Sequence, residues 1–337
     1  MQTVSNYETK RIAAFDYIKA LCIFLVCLGH AVLYIFTDED YNNPICKYIY
    51  AFHMPTFMTI SGFFFISTFE KEFIAVIKNK SIQLLLPCLS FFLIIKISKL
   101  DAHLNFWYLK CLFCLYIIYY LLFKIQKNID ITENFYWSLI VILFFIVAPF
   151  LNRWLVTSYK IMFMFPFFGM GIVMRRFWTK IQKYEKLLCG TSMILSAIVL
   201  LFWKTDYIIY FTPIRYFSFS GFDKKLLIAS LIRWLTGMVV SFFLITLFDL
   251  FSKTLNAENI FLKLLRSVGK YSLEIYLLQS FILEYSFIDY KKFGLDKIKY
   301  KCIGGAFACI AIAVSMLMVW FLSKNKILNL VLFGRRK

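Results

Sequence analysis

From Ala14 to Phe36 the chain reads AFDYIKALCIFLVCLGHAVLYIF, an apolar run long enough to cross a bilayer as a helix and interrupted by Asp16, Lys19 and His30. Ionisable groups at such a depth are expensive, and where they persist they usually serve function. Lys19 and His30 lie eleven positions apart. At about 100° per residue that is three helical turns, so both side chains face one way, roughly 16 Å apart along the axis. Asp16 falls one turn before Lys19 on the same stripe.

The rest of the chain repeats the apolar theme. Hydrophobic residues make up 61% of 337 positions and aromatics 20%, with a mean hydropathy of +0.73. A soluble globular domain of that composition would expose large apolar patches. Charged residues, 17% of the total, gather in short runs between long apolar segments, and alternating segments of about ten residues, the mark of a membrane barrel, are absent. The fold class expected is therefore all-α, a polytopic membrane helical bundle. Ten spans are expected, at 12–36, 49–68, 82–99, 104–123, 135–151, 158–174, 187–203, 226–250, 271–289 and 302–322, within a single domain covering 1–337. The first span is expected to stay in the protein, because it is too long for a signal peptide and ends in TDED without a small-residue cleavage site.

The net charge of +19 is spread over many loops and forms no single stripe, so it speaks for membrane orientation and against a nucleic-acid partner. With an even number of spans, loops on the side of the termini hold Lys71, Lys78, Lys80, Lys124, Lys127, Arg175, Arg176, Lys180, Lys183, Lys186, Lys253, Lys263, Arg266 and Lys270, and the tail adds Arg335, Arg336 and Lys337. That bias predicts cytoplasmic termini, although DYKKFGLDKIKYK near the end is basic on the opposite side. Eight of nine cysteines sit in apolar segments, where a small soft side chain is ordinary packing and no disulfide framework is indicated. Cys111 and Cys114 fall within a helix with no second pair, so no metal site is expected.

Three histidines occur: His30, His53 and His103. Each has an ordinary reading as a core imidazole bonded to a neighbouring helix. His30 stands out because its depth would keep the ring neutral and able to take a proton. Lys19 and Asp16 have a competing reading as a snorkelling i,i+3 pair near the helix end. His53 opens FHMPTFMTISGFFF, where Pro55 interrupts a helix and Ser61-Gly62 permits a close helix contact. His103 precedes NFWYL, whose Trp107 and Tyr108 suit an interfacial anchor. Glu274 is an intramembrane carboxylate with Lys270 a turn away. The segment 205–221, broken by Pro213 and rich in Tyr and Phe, reads as an aromatic belt or as a loop folded over an outer site with Arg215.

Together these segments resemble acyltransferase family 3, integral membrane O-acyltransferases that decorate surface glycans and related acceptors. FDYIKALCIFLVCLGH resembles the opening signature, a basic residue and a histidine eleven positions later, with Lys19 where arginine is usual and Asp16 as the acidic residue before it. FHMPTFMTISGFFF, NFWYL, FPFFGMGIVMRR and GKYSLEIYLLQ resemble later signatures in the same order. Two positions depart: Gln83 stands where a second arginine is frequent, and Gln279 where a histidine often closes the ninth-helix motif.

The resemblance implies acyl transfer, most often acetyl, from a cytoplasmic acyl-coenzyme A, with acetyl-CoA the expected donor and no metal. The acceptor would be a hydroxyl of a cell-surface polysaccharide or lipid-linked glycan. On this reading His30, Lys19 and Asp16 are catalytic; His53, Ser61, Trp107, Tyr108 and Glu274 meet the acceptor; and Lys78, Lys80, Arg175 and Arg176 meet the donor. His30 would serve as a general base or carry the acyl group itself. The alternative class is a transporter or flippase of a lipid-linked glycan, for which no inverted repeat is visible. Partners expected are the bilayer and the glycan, with a homo-oligomer left open.

Overall fold

A computed structural model describes residues 13–35, 43–98, 106–129, 131–151, 158–210, 214–218, 221–254, 259–284 and 297–336. His103, Asn105, the TDED loop at 37–40, Pro213, most of DYKKFGLDKIKYK and the final Lys337 lie outside these residues. The chain is an all-α membrane bundle. In order run α1 (Ala13–His30), α2 (Pro44–Phe63), α3 (Ile66–Phe69), α4 (Phe73–Lys80), α5 (Leu86–Ile97), α6 (Trp107–Asn128), α7 (Glu133–Leu151), α8 (Ser158–Arg176), α9 (Trp178–Lys183) and α10 (Glu185–Leu201). There follow α11 (Lys224–Thr254), α12 (Ile260–Lys270), α13 (Ser272–Glu284), α14 (Lys297–Leu322) and α15 (Lys326–Phe333). A two-residue antiparallel pair, Phe217–Ser218 with Gly221–Phe222, is the only strand pairing among the described residues.

Among the described residues, six helical stretches are long and apolar enough to cross a membrane: Ala13–Leu33, Phe73–Ile97, Trp107–Asn128, Glu133–Phe150, Lys224–Thr254 and Ile303–Leu322. The second of these differs from the expected 82–99, because a wide π-type turn over Ser81–Leu85 joins α4 and α5 without a break. Conversely, α2 ends at Phe63, five residues before the expected boundary, and a separate turn of helix follows. Helix starts are set locally. Asn43 accepts from the Ile45 amide with Pro44 in the first turn, and Asn259 and Asn325 cap α12 and α15 in the same way. At the end of α15, Gly334 adopts φ 64°, the left-handed stop that glycine takes without strain.

α1 is the hub, touching α2, α11, α12, α13 and α14. It is buried along most of its length and not along one stripe. α2 and α8 cross at backbone contact: a Cβ on Gly62 would lie 2.0 Å from the Phe168 carbonyl oxygen, and one on Gly171 2.0 Å from that of Thr59. Small residues allow this approach, and without a hydrophobic drive between helices in lipid, such close contact is what holds them. α11 closes against the same pair, with Gly237 facing Phe167 and Pro55 and with Thr56 and Ser241 hydroxyls 3.0 Å apart. The outer faces of α5, α7 and α14 carry exposed Phe92, Ile142, Leu317 and Phe321, the surface a lipid-facing helix requires.

Candidate active site

His30 closes the regular part of α1, where the backbone widens into a π-type turn over Ala31–Ile35. Such widened turns recur at functional positions. The ring faces α13. There the Gln279 carboxamide lies beside Nδ1, with Oε1 at 3.1 Å and Nε2 at 2.9 Å. Gln279 is fully buried, and its Nε2 also reaches Ser280 Oγ at 2.7 Å and the Tyr276 carbonyl at 3.4 Å. The two hydrogens on Nε2 can both be placed on those acceptors. Oε1 then receives Nδ1–H, and the other ring nitrogen keeps its lone pair.

His53 sits on α2 and is buried. Its Nδ1 donates to the Ile49 carbonyl at 2.6 Å, and the ring meets Tyr50 edge to face at 5.1 Å. Tyr50 in turn is the nearest neighbour of Gly29, beside His30. Trp107 and Tyr108 open α6 and are both buried, and Tyr108 reaches Tyr276 of α13 with centroids 6.0 Å apart. The structure thus gathers His30, His53, Tyr108 and Trp107 into one neighbourhood. Ser61, two turns beyond His53 on α2, bonds its own helix through the Phe57 carbonyl at 3.0 Å and also meets the Tyr108 side chain.

Lys19 and Asp16 pair at 3.7 Å, and Arg266 of α12 approaches the other carboxylate oxygen at 3.7 Å. α12 can come this close because Gly269 rests on the Asp16 backbone, where a Cβ would be 1.8 Å from the carbonyl oxygen. Lys19 also stands 6.0 Å from the Phe64 ring, and the Arg175 guanidinium 5.3 Å from that of Phe63. These rings belong to a cluster with Phe15 and Trp178. Lys80 lies 3.8 Å from the Tyr116 centroid, and Lys78 is exposed. Arg176 is held at the periphery by Glu133 of α7, with Nη2 to Oε2 at 2.9 Å. Glu274 is fully buried, and its partner is Arg335 from beyond α15 and not Lys270, which offers its carbonyl to the same guanidinium at 2.9 Å.

Three buried polar residues escaped the reading of the sequence. Gln279 stands out in the sequence only as a departure from a motif, and its contact with His30 spans 249 positions. Arg233, inside α11, is fully buried; an arginine within an apolar run is itself a legible signal of such a residue. Lys160, two residues into α8, is 7% exposed. Its ammonium stands 4.9, 5.1 and 5.6 Å from the ring centroids of Trp107, Tyr210 and Tyr159. Each such contact contributes about 0.5–2 kcal/mol, against the several kcal/mol that burying an ammonium takes. Tyr210, of the 205–221 segment, packs on these rings, and Arg215 of that segment is exposed.

A family model described as an acyltransferase domain matches residues 12–323. Two curated relatives match over shorter stretches. The nodulation protein NolL of Sinorhizobium fredii is 39% identical over 100 residues, covering 28% of this chain and 27% of that protein. NolL of Mesorhizobium japonicum is 40% identical over 83 residues, covering 23% and 22%. The matched region is thus about a quarter of each relative's length. No solved structure matches. With a partly buried histidine and a cation on one helix, and a family model that spans nearly all its helices, the chain belongs to the acyltransferase domain family.

Proposed function

We propose that this protein is a multi-pass O-acyltransferase of the bacterial inner membrane that moves an acyl group, acetyl by preference, from cytoplasmic acyl-coenzyme A to a hydroxyl of a surface or lipid-linked glycan. The reading treats the chain as one catalytic domain of ten spans with both termini in the cytoplasm. The observation that carries it is the partly buried His30–Gln279 contact. A carboxamide that accepts from Nδ1–H fixes the ring's tautomer and orientation, as a general base requires.

On this reading the acceptor oxygen attacks the thioester carbonyl while its proton passes to Nε2 of His30. The tetrahedral adduct then collapses, the carbon–sulfur bond breaks, and the coenzyme A sulfur leaves with the proton returned by the imidazolium. Lys19 serves the donor. Roughly 16 Å along the helix separates it from His30, too far to touch the oxyanion but comparable to an extended pantetheine arm. Lys78, Lys80 and Arg175 supply positive charge for the donor's phosphates at the same end. His53, Tyr108 and Trp107 face the acceptor.

The test is transfer of labelled acetyl from acetyl-CoA to the glycan fraction in membranes that hold the wild type or His30→Ala. The variant is expected to insert at normal abundance and transfer nothing. A His30→Ala protein with full activity removes the assignment, and glycan movement that persists without acyl-CoA returns the chain to the transporter class.

A further inference from the structure

Lys160 is a buried ammonium that no charged group among the described residues meets. Among the described residues it has no hydrogen bond or ion pair, only the rings of Trp107, Tyr159 and Tyr210. A buried ammonium is stable where its charge is met, and three aromatic faces meet it in part. Lys110, one turn after Trp107, adds a second positive charge near it. The quarter is therefore lined with rings around a buried ammonium, Lys160, that no anion meets among the described residues.

The same rings lead to His30. Tyr210 lies 6.0 Å from Tyr50 between centroids, and Tyr50 lies 5.1 Å from His53. Trp107 lies 6.2 Å from Tyr108, which neighbours Tyr276, one turn before Gln279. Tyr210 is partly exposed, at 37%, and gives the cluster an outer edge. Aromatic faces of this kind take the C–H face of a pyranose, and an ammonium takes a carboxylate or phosphate.

We infer that Lys160 with Trp107, Tyr159 and Tyr210 forms an acceptor subsite for an anionic saccharide, whose carboxylate or phosphate sits on the ammonium while a sugar ring stacks on the aromatic faces. This rests on the acyl-transfer reading for the direction in which the saccharide lies, with its reactive hydroxyl toward His30. Binding itself needs no chemistry at His30.

The experiment is isothermal titration of the full chain in phosphatidylcholine nanodiscs with tetragalacturonate, its methyl ester, and maltose 1-phosphate against maltose. At least one acidic probe is expected to bind tenfold or more tightly than its neutral counterpart. Lys160→Met is expected to abolish that preference and leave the neutral probe's Kd unchanged, whereas Lys160→Arg retains it. The His30→Ala protein is expected to show the wild-type preference, so an absence of acyl transfer in every assay sinks the enzymatic reading and leaves this one standing. Equal affinity for charged and neutral probes overturns the inference, as does a Lys160→Met protein, monodisperse on size exclusion, that keeps the preference. Loss of the preference when phosphatidylglycerol replaces phosphatidylcholine also overturns it, because the lysine then serves a lipid headgroup.

Discussion

Replacing Gln279 by leucine isolates the contact on which the proposed chemistry turns. Leucine nearly matches the volume of glutamine, so the fully buried site loses little packing. What goes is the acceptor opposite His30 Nδ1, now at 3.1 Å. A buried donor left without its partner costs about 1–3 kcal/mol. If that penalty falls on the transition state, where the ring becomes an imidazolium and Nδ1–H bonds most strongly, kcat falls roughly 5- to 150-fold. KM for acyl-CoA is expected to hold, because the residues proposed for the donor lie at the other end of α1. The assay is labelled acetyl transfer in membrane vesicles, normalised to protein abundance, with acyl-CoA varied. Gln279→Glu keeps an acceptor and is expected to retain more activity than the leucine variant. Adding Gln279→Leu to His30→Ala is expected to change nothing, since two residues acting through one ring are not additive. A leucine variant with wild-type kcat, or one whose whole loss lies in KM, refutes the reasoning.

Two further outcomes concern stability. Gly171→Ala places a methyl 2.0 Å from the Thr59 carbonyl oxygen and 2.6 Å from the Phe63 amide nitrogen, so α2 and α8 must part; a loss of about 3 kcal/mol is expected in detergent unfolding. Gly190→Ala, which meets nothing within 4 Å, is the control and is expected to be neutral or slightly stabilising through helix propensity. Arg335→Met strands the Glu274 carboxylate in a site with no exposure, and a loss of about 3 kcal/mol is expected, the low end for a buried pair because Arg335 is 35% exposed. Thermal unfolding of Arg335→Met with Glu274→Gln checks this, since removing both partners is expected to recover most of the stability.

What the sequence determined by itself is local. Helical spans follow from apolar length, because a backbone in hydrocarbon must satisfy its own hydrogen bonds. The facing of Asp16, Lys19 and His30 follows from 3.6 residues per turn, and the opening signature lies within one such helix. Even the close crossing of α2 and α8 was hinted at by Ser61-Gly62. What only the tertiary structure decided are the partners of buried polar groups. Gln279 meets His30 across 249 positions, and Glu274 turns to Arg335 instead of the nearer Lys270. Lys160 finds rings from α6 and from the 205–221 segment. Each of these side chains had several chemically acceptable partners along the chain. Helix order in the bundle, set by glycine contacts and cross-helix packing, selects among them.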